Sequence, residues 1–398
     1  MKIAVYGGSF NPPHLGHAEA AAAVAEALKP DKLLIIPAGI PPHKELDANS
    51  ADAQRRMLLS SLAFEDIPNA EISDMELLRG GKSYSSDTVE ELLRLYPDAE
   101  IYFAMGTDML LSFEKWHRFE YLLKNMTLAV FSRDGGEDGK IAGHAAYLRR
   151  SYGARTVLVR HEPKPMSSTE IRSLLPQRRG RELLPDKVYA EIIRNGDYGA
   201  KPELQWLREK AYAMLKPKRI PHVRGCEEEA VRLAERWGAD KTAAAEAGIL
   251  HDITKKLLMP DQLILCEKYD IINDNCEKEN LKLLHAKTGA AVARDLFNVS
   301  DEVCEAIRWH TTGKPHMSLL EKIIYMADYI EPNRDFEGVD KLRELAYKNL
   351  DEAMLLGLEM SLEDIRSSGY EPYIVTAEAC RWFEETVKIS GQGQKGIT

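Results

Sequence analysis

GGSFNPPHLGH, residues 7–17, follows directly on a short apolar run at residues 3–6 and is the most informative stretch of the chain. The apolar run predicts a strand, and the stretch after it predicts a glycine turn and a helix that begins near His14. Glycine lets a phosphate approach the backbone closely, and the first N–H groups of a helix attract an anion. His14 and His17 share one helix face, where two imidazoles suit the charge that develops on a transferring phosphoryl group. The plainer alternative is a helix cap with two surface histidines.

The first half alternates strand-like and helix-like segments. Short β-branched or aromatic runs predict strands at residues 3–6, 32–37, 100–105, 127–131 and 156–159, and the Ala- and Glu-rich segment 18–28 predicts a helix. Strand, helix and strand at this spacing indicate an α/β fold with a parallel sheet and right-handed crossovers. Ligands bind at the carboxyl ends of such strands, and residues 7–17 follow one of them.

The second half is predicted to be all-α. Strand-like runs disappear near residue 200, and helical periodicity covers residues 227–237, 242–250, 281–297, 302–309, 319–330 and 351–361. The sequence therefore predicts two domains, at residues 1–200 and 201–390. It also predicts a disordered tail at residues 391–398, where Gly, Gln and Lys predominate.

Length and composition limit the class of protein. A chain of 398 residues corresponds to about two domains. A net charge of −10 argues against a nucleic-acid or membrane partner, although it leaves room for local basic pockets that hold phosphates. No apolar run approaches the ~20 residues of a membrane span. Five cysteines without a CxxC pair indicate reduced thiols and a cytoplasmic location. The sequence leaves open whether the protein is a monomer or a homo-oligomer.

Four further segments place polar side chains after predicted strands or at predicted helix starts. They are Pro41-Pro42-His43-Lys44, Ser83-Tyr84-Ser85-Ser86-Asp87-Thr88, Gly106-Thr107-Asp108 with Trp116 behind it, and Pro165-Met166-Ser167-Ser168-Thr169-Glu170-Ile171-Arg172. Taken singly, each has a structural alternative, which is a solvated lysine, a helix cap or a capping box. Taken together and in this order, they are more specific than any one of them.

As a set, these segments resemble the nucleotidyltransferase superfamily with an HxGH signature and, within it, the nicotinate-nucleotide adenylyltransferases, over nearly all of residues 1–200. The resemblance implies a Rossmann-like domain. It implies ATP binding by Gly8, Ser9, Phe10, His14, His17, Lys44, Gly106, Asp108, Ser167, Ser168 and Arg172, and nicotinate binding by Tyr84, Ser85 and Trp116. Three residues depart from the family pattern: Asn11 replaces a common Asp, Ser85 a common Thr and His117 a frequent Tyr. The first two keep the hydrogen-bonding role, whereas His117 alters the ring contacts.

The reaction that this resemblance implies joins ATP to nicotinate mononucleotide. The 5′-phosphate of the mononucleotide attacks the α-phosphorus of ATP in line, pyrophosphate leaves, and nicotinate adenine dinucleotide forms. His17 and Arg172 stabilise the charge, and Mg²⁺ accompanies the triphosphate. Adenylyl transfer to phosphopantetheine is the nearest alternative, and Trp116 and the Tyr84-Ser85 pair argue against it. A class I aminoacyl-tRNA synthetase is disfavoured because the chain has no Lys-Met-Ser-Lys-Ser run.

Histidine and aspartate residues recur on the predicted helices of the second half. The six candidates are His222, His251, Asp252, His285, His310 and Asp328. A pair such as His251-Asp252 at the end of an apolar, Ala-rich helix needs partners or a metal. Each residue alone could be a satisfied core or cap residue, but six in one helical bundle favour a metal site. Because the set offers N and O donors without Cys, it favours Fe or Mn over structural zinc.

The order His…His-Asp…His…His…Asp resembles the HD-domain metal phosphohydrolases. LHDITK at residues 250–255, HT at 310–311 and ADYIEPNR at 327–334 resemble, more specifically, the YqeK-type bacterial HD family, which splits diadenosine tetraphosphate symmetrically. This resemblance covers about residues 205–380. It implies that the six residues hold two metal ions, that Asp252 bridges them in catalysis, and that Lys255 and Arg334 meet the polyphosphate. Surface ion pairs are the alternative for Lys255 and Arg334.

The sequence thus predicts a bifunctional enzyme. Its substrates would be ATP and nicotinate mononucleotide in the first half and diadenosine tetraphosphate, cleaved to two ADP, in the second. For the second half, the alternatives are hydrolysis of guanosine tetraphosphate, a nucleotide monophosphatase activity, or a nucleotide sensor that regulates the transferase.

Overall fold

The computed structural model describes residues 1–40, 50–132, 136–161, 166–271, 274–278 and 280–395. The chain divides into two compact units, Met1–Lys201 and Pro202–Thr398. The division lies beside residue 200, where the sequence changes from alternating strands and helices to helices alone.

An all-parallel sheet forms the centre of the first unit. Within the described residues, its strands are β1 (Lys2–Gly8), β2 (Lys32–Pro37), β3 (Ala70–Ile72), β4 (Glu100–Gly106), β5 (Met126–Phe131) and β6 (Arg155–Val159), in the order β3-β2-β1-β4-β5-β6. The α/β prediction is confirmed. The edge strand β3 was not predicted, because it has only three residues and none of them is buried. The strand order reverses between β1 and β4, so the loops that follow these two strands flank one crevice.

Helices cover both faces of this sheet, which explains why its strands are apolar on both sides. The helices are α1 (Leu15–Leu28), α2 (Ala53–Phe64), α3 (Met75–Arg79), α4 (Ser85–Leu95), α5 (Thr107–Leu111), α6 (Phe119–Asn125), α7 (Asp138–Tyr152), α8 (Ser168–Leu174) and α9 (Asp186–Asn195). Short 3₁₀ helices span Phe113–Lys115, Leu175–Gln177, Arg181–Leu183 and Asp197–Gly199. In β1, Ile3, Ala4 and Val5 are fully buried, so the strand before the glycine loop is a fixed base for that loop.

The described part of the second unit is entirely helical, as predicted. Its helices are α10 (Leu204–Ala213), α11 (Ile220–Trp237), α12 (Lys241–Leu250), α13 (Met259–Lys268), α14 (Asn275–Lys278), α15 (Leu281–Phe297), α16 (Asp301–Trp309), α17 (Leu319–Ile330), α18 (Val339–Lys348), α19 (Leu350–Ser367) and α20 (Ile374–Lys395), with a 3₁₀ helix at Pro217–Arg219. Among the described side chains, Cys226, Cys266, Cys304 and Cys380 are free thiols.

Helices α11 and α12 approach each other closely at a glycine. A Cβ at Gly248 would lie 2.7 Å from the Cα of Glu227, so a larger residue would push the two helices apart. This close packing brings the first turn of α11 and the end of α12 together, and each carries one of the predicted histidines.

Helix α20 extends to Lys395 and so enters the segment 391–398, for which the sequence predicts a disordered tail. The predicted tail stays a prediction. Residues 396–398 lie outside the described residues. None of the described helices has both the length and the apolar character that crossing a membrane requires.

Candidate active sites

The glycine loop after β1 is supported by an aromatic residue in the core. A Cβ on Gly8 would lie 2.9 Å from the Phe10 ring, so the close approach requires glycine. Phe10 has a positive φ of 44° and is only 1% exposed, with its ring centroid 5.3 Å from that of Phe64 and 5.2 Å from that of His17. The Phe10 side chain therefore shapes the loop from beneath. Its predicted role toward ATP, like that of Gly8 and Ser9, stays a prediction.

The two histidines of the HxGH stretch lie together at the start of α1. Their rings stack with centroids 3.6 Å apart, and His14 is the N-cap residue. The backbone N–H of His14 donates to Nδ1 of His17 over 3.2 Å. Since Nδ1 of His17 accepts, the neutral ring carries its hydrogen on Nε2. His17 therefore combines with the helix N-terminus as a further N–H donor suited to a phosphate oxygen.

Helix α8 holds the loop that carries these histidines. Ser168 Oγ donates to the carbonyl of Pro12 over 2.9 Å, and Arg172 Nη1 donates to the carbonyl of Asn11 over 2.7 Å. Ser167 Oγ caps α8 by accepting from the N–H of Glu170 over 3.1 Å. The structure thus brings Ser168 and Arg172 to the glycine loop, while Ser167 serves as the helix cap that was its structural alternative.

Arg56 was not predicted from the sequence, yet it fixes the loop from α2. Its side chain is 1% exposed and donates to the carbonyls of Ser9 (3.0 Å), Ala38 (2.7 Å) and Gly39 (3.3 Å). Burial lowers the pKa of Arg56. An arginine on an otherwise ordinary helix reads as a surface residue, so the linear sequence gave no sign of this role.

Asn11, one of the three residues that depart from the family pattern, also has a structural role. Its side-chain oxygen accepts from the N–H of Ala51 over 3.2 Å and from the hydroxyl of Tyr198 over 2.9 Å. Its Nδ2 donates to Ser50 Oγ over 2.7 Å. The side-chain amide therefore connects the glycine loop to two distant parts of the same unit, residues 50–51 and Tyr198, and the backbone carbonyl of Asn11 accepts from Arg172.

Four of the other predicted site residues lie at the end of a strand or near the start of a helix in the same unit. Gly106 ends β4, and Asp108 lies in the first turn of α5. The Tyr84 and His117 rings pack with centroids 4.6 Å apart, and Ser85 begins α4. Lys44 lies outside the described residues.

Trp116 packs with Phe103 and Phe113, with ring centroids 5.8 and 5.0 Å away. Tyr84, by contrast, packs against His117, another of the three residues that depart from the family pattern. The predicted contacts of Tyr84, Ser85 and Trp116 with nicotinate stay predictions.

In the second unit, the structure brings all six predicted metal ligands together. His222 lies in the first turn of α11, His251 caps the end of α12 with Asp252 next to it, His285 lies in α15, His310 caps the end of α16, and Asp328 lies in α17. Candidate ligand atoms lie within 4.8 Å of one another in two groups, His222–His251–Asp328 and His251–Asp252–His310.

The Asp252 carboxylate lies at the centre of this cluster. Its Oδ2 is 3.5 Å from Nε2 of His251 and 3.9 Å from Nε2 of His222. Its Oδ1 is 3.2 Å from Nε2 of His285 and 3.7 Å from Nε2 of His310. Each carboxylate oxygen therefore faces a different pair of histidines, which is the arrangement expected of a residue that bridges two ions.

The imidazole orientations show that this cluster fits metal ions. Nδ1 of His251 lies 2.8 Å from the Gly248 carbonyl, and Nδ1 of His310 lies 2.6 Å from the Ile307 carbonyl. A carbonyl can only accept, so both Nδ1 atoms carry hydrogen, and each ring directs into the cluster its Nε2, the atom that offers a lone pair to a metal ion once the ring is neutral. Oδ1 of Asp252 is buried and lacks a hydrogen-bond donor among the described residues. Converging lone pairs and a buried carboxylate oxygen suit a divalent cation.

The pKa shifts agree with a site for positive charge. Burial alone would raise the pKa of Asp252, but His251 and the other histidines hold it well below the usual range. Burial opposes the charged form of His251 too, yet Cys226 and Asp252 raise its pKa well above normal. Burial lowers the pKa of His285 to about 4, so this ring is neutral near pH 7 and can offer a lone pair to a metal ion.

Three cations surround the two carboxylates. Arg219 donates from Nε to Asp252 Oδ2 over 2.5 Å, and Lys255 Nζ lies 3.4 Å from Asp252 Oδ1. Arg334 Nη2 donates to Asp328 Oδ1 over 2.6 Å. Lys255 and Arg334 were singled out from the sequence as polyphosphate contacts, a role that stays a prediction. Arg219 was not singled out, because a basic residue that follows Lys216 and Lys218 looks like ordinary surface charge.

Glu331 orients His222 from behind and was not singled out from the sequence. Its Oε1 lies 3.0 Å from Nδ1 of His222, and its Oε2 accepts from the backbone N–H (2.7 Å) and the Nδ2 (2.8 Å) of Asn333. A carboxylate that accepts from one imidazole nitrogen fixes the other nitrogen as a ligand. Glu331 and Asn333 both belong to the EPNR run at residues 331–334, and this run is the sequence signal from which the role of Glu331 could have been recognised.

Both units match known proteins. The family model for Cytidylyltransferase-like proteins matches residues 5–174, and the model for the HD domain matches residues 219–333. A Mycoplasma genitalium protein named "probable nicotinate-nucleotide adenylyltransferase/Ap4A hydrolase" is 30% identical over 90% of this chain and 97% of its own length.

Two shorter relatives each match part of the chain. A Carboxydothermus hydrogenoformans protein named "probable nicotinate-nucleotide adenylyltransferase" is 38% identical over 50% of this chain and 98% of its own length. The symmetrical bis(5′-nucleosyl)-tetraphosphatase of Bacillus subtilis is 41% identical over 39% of this chain and 86% of its own length.

Proposed function

The chain belongs to the nicotinate-nucleotide adenylyltransferase/Ap4A hydrolase family, and on this premise we propose that it is a bifunctional enzyme. The first unit transfers the adenylyl group of ATP to nicotinate mononucleotide, which gives nicotinate adenine dinucleotide and pyrophosphate. The second unit hydrolyses diadenosine tetraphosphate symmetrically to two ADP. We place both activities in the cytoplasm, where ATP and the mononucleotide are available.

The transferase proposal is supported by the donors gathered at the start of α1. The N–H groups of the first helical turn and the Nε2–H of His17 favour bound phosphate oxygens. A 5′-phosphate oxygen forms a bond to the α-phosphorus of ATP, the bond from that phosphorus to the bridging oxygen breaks, and pyrophosphate leaves with the electron pair. His17 and Arg172 stabilise the charge on the phosphates, and Mg²⁺ enters with ATP.

The hydrolase proposal is carried by one observation, the division of four histidines between the two oxygens of Asp252. His222, His251 and Asp328 would hold one metal ion, His285 and His310 the other, and Asp252 both. Bound there, two divalent ions would supply an activated water and would neutralise phosphate charge. Lys255 lies beside Asp252 and Arg334 beside Asp328, and both cations would meet a bound polyphosphate. The N and O donor set leads us to propose Fe²⁺ or Mn²⁺ as the native ions.

Parallel assays on one preparation test both activities. The purified full-length protein is given ATP with nicotinate mononucleotide, or with nicotinamide mononucleotide as the alternative acceptor. We expect dinucleotide and pyrophosphate in equal amounts, and faster turnover of the nicotinate form. The same protein, loaded with Fe²⁺ or Mn²⁺, is given diadenosine tetraphosphate or guanosine tetraphosphate, and we expect turnover of the former. Equal rates of dinucleotide formation with both acceptors would contradict the transferase proposal. Preferential cleavage of guanosine tetraphosphate would contradict the hydrolase proposal.

A further inference from the structure

A strongly basic cavity lies beside the metal-ligand cluster of the second unit. Its volume is about 300 Å³, and it is lined by Leu215, Lys216, Lys218, Arg219, Lys255 and Lys256. Five of these six residues are cationic, in a chain whose net charge is −10. Leu215 is the one apolar lining residue, so the cavity offers charge and little surface for a nucleobase.

Two of the lining residues connect this basic cavity to the hydrolytic centre. Arg219 Nη2 lies 2.5 Å from Oδ2 of Asp252, and Lys255 Nζ lies 3.4 Å from Oδ1 of the same carboxylate. One wall of the basic cavity is therefore formed by the cations that surround the proposed bridging ligand. An anion held there would lie next to the reacting phosphate.

The remaining lysines are not explained by ion pairing. Lys256 donates to the carbonyl of Ala213 over 3.1 Å, which fixes its direction without neutralising it. Lys216 and Lys218 are exposed, and no carboxylate in the described ranges lies within ion-pair distance of either. Pro217, between them, begins the 3₁₀ helix that leads into α11. Like charges gathered without counter-ions repel one another, so this arrangement favours a polyanionic ligand.

We propose that the basic cavity binds the diphosphate of the second nucleotide of a dinucleoside tetraphosphate, the half that leaves as ADP. This inference rests on the proposed hydrolase function and adds a subsite for the leaving group. Lys216, Lys218 and Lys256 act on the distal phosphates, while Arg219 and Lys255 face both the ligand and Asp252. A substrate with four phosphates offers one diphosphate to the metal centre and the other to the basic cavity.

The subsite also affects the chemical step. The water oxygen forms a bond to the scissile phosphorus, and the bond from that phosphorus to the bridging oxygen breaks. The electron pair leaves with the second ADP, and one water proton passes to solvent. Negative charge therefore develops on the leaving diphosphate, where ammonium groups placed in advance stabilise it.

The test uses full-length Lys216→Ala/Lys218→Ala beside the matched control Lys341→Ala/Lys348→Ala, which removes two exposed lysines of α18. We expect KM for diadenosine tetraphosphate to rise by roughly tenfold or more in the first variant and to stay unchanged in the control. Metal content, measured on both, should equal that of the wild type. Lys216→Arg/Lys218→Arg should restore KM, because it keeps the charge.

Calorimetric titration with inorganic tripolyphosphate gives a readout that does not depend on turnover. The first unit contributes equally to every variant, so the heat lost in Lys216→Ala/Lys218→Ala belongs to the basic cavity. Wild-type KM and undiminished tripolyphosphate binding in this variant would overturn the proposal. A wild-type protein that releases no ADP would instead contradict the hydrolase function, whatever the lysine variants do.

Discussion

The proposed phosphate site of the first unit consists mainly of backbone groups, whereas the proposed metal site of the second unit consists of buried side chains. In the first unit, Ser168, Arg172 and Arg56 bind carbonyls of the loop that precedes His14. In the second, six side chains from five helical segments direct their polar atoms at one another, with Asp252 at the centre.

This difference predicts different responses to substitution. A loop held by many separate hydrogen bonds loses one donor at a time, so its activity should decline in steps. A cluster in which one carboxylate faces four histidines is coupled, so the loss of that carboxylate should remove both metal positions together. The following variants test this contrast.

The largest effect is expected from Asp252→Asn. The amide keeps the size of the side chain but removes the charge that both pairs of histidines face, so hydrolysis should fall on the order of a thousandfold. Adenylyl transfer by the same preparation should be unchanged. Asp261→Asn, at an exposed position on α13, is the matched control. Hydrolysis within tenfold of the wild type would show that Asp252 is not the shared ligand.

His17→Ala should impair the transferase by about a hundredfold, since it removes one phosphate donor and leaves the helix N-terminus in place. The steady-state rate of pyrophosphate release measures this. His144→Ala removes a half-buried histidine of α7 that is paired with Glu114 and contacts none of the glycine-loop residues by any bond described above, and it should have little effect. If both substitutions slow pyrophosphate release equally, the loss reflects general destabilisation.

Glu331→Gln should weaken metal binding by roughly tenfold to a hundredfold while leaving kcat at saturating metal closer to normal. The amide no longer holds the His222 ring through a charged hydrogen bond, although every proposed ligand remains. Metal titration followed by activity separates the two quantities, and Glu337→Gln, an exposed neighbour, serves for comparison. Unchanged metal affinity would contradict the orienting role.

The smallest effect is expected from Ser168→Ala. The loss of its bond to the Pro12 carbonyl should cost about 1 kcal/mol, equivalent to roughly a fivefold rise in KM for ATP. Ser173→Ala on the same helix removes a hydroxyl that bonds only the Glu170 carbonyl of its own turn. Equal KM values for the two variants would mean that Ser168 does not support the loop.

The sequence predicted those parts of both sites that depend on residue type and local spacing. Six His and Asp residues on apolar helices are unusual enough to be found without a structure. Arg56, Asn11 and Arg219 could not be assigned in the same way, because their roles depend on which carbonyls or carboxylates approach them in the folded chain. Phe10 shows the reverse case, since a residue within the phosphate-binding stretch has its side chain in the core.

The same distinction applies to the fold, where some elements could be predicted from the sequence and others could not. The apolar strands, and helices α12, α15, α16 and α17, were predicted within two residues of their observed bounds, whereas α11 begins before its predicted start at residue 227 and α19 ends beyond its predicted end at residue 361. Strand β3 was not predicted, since three partly exposed residues carry no periodicity, and it forms only because β2 pairs with it. Local pattern therefore predicts elements that carry their own hydrophobic face, whereas an edge strand depends on its neighbour.

The most direct test of the two-site account is the product pattern from diadenosine tetraphosphate. The full-length protein, loaded with Fe²⁺ or Mn²⁺ under reducing conditions, is incubated with this substrate, and the nucleotides are separated by chromatography. The arrangement around Asp252 predicts ADP as the sole nucleotide product. ATP together with AMP, or no product from a protein that contains metal, would contradict symmetrical hydrolysis by the second unit.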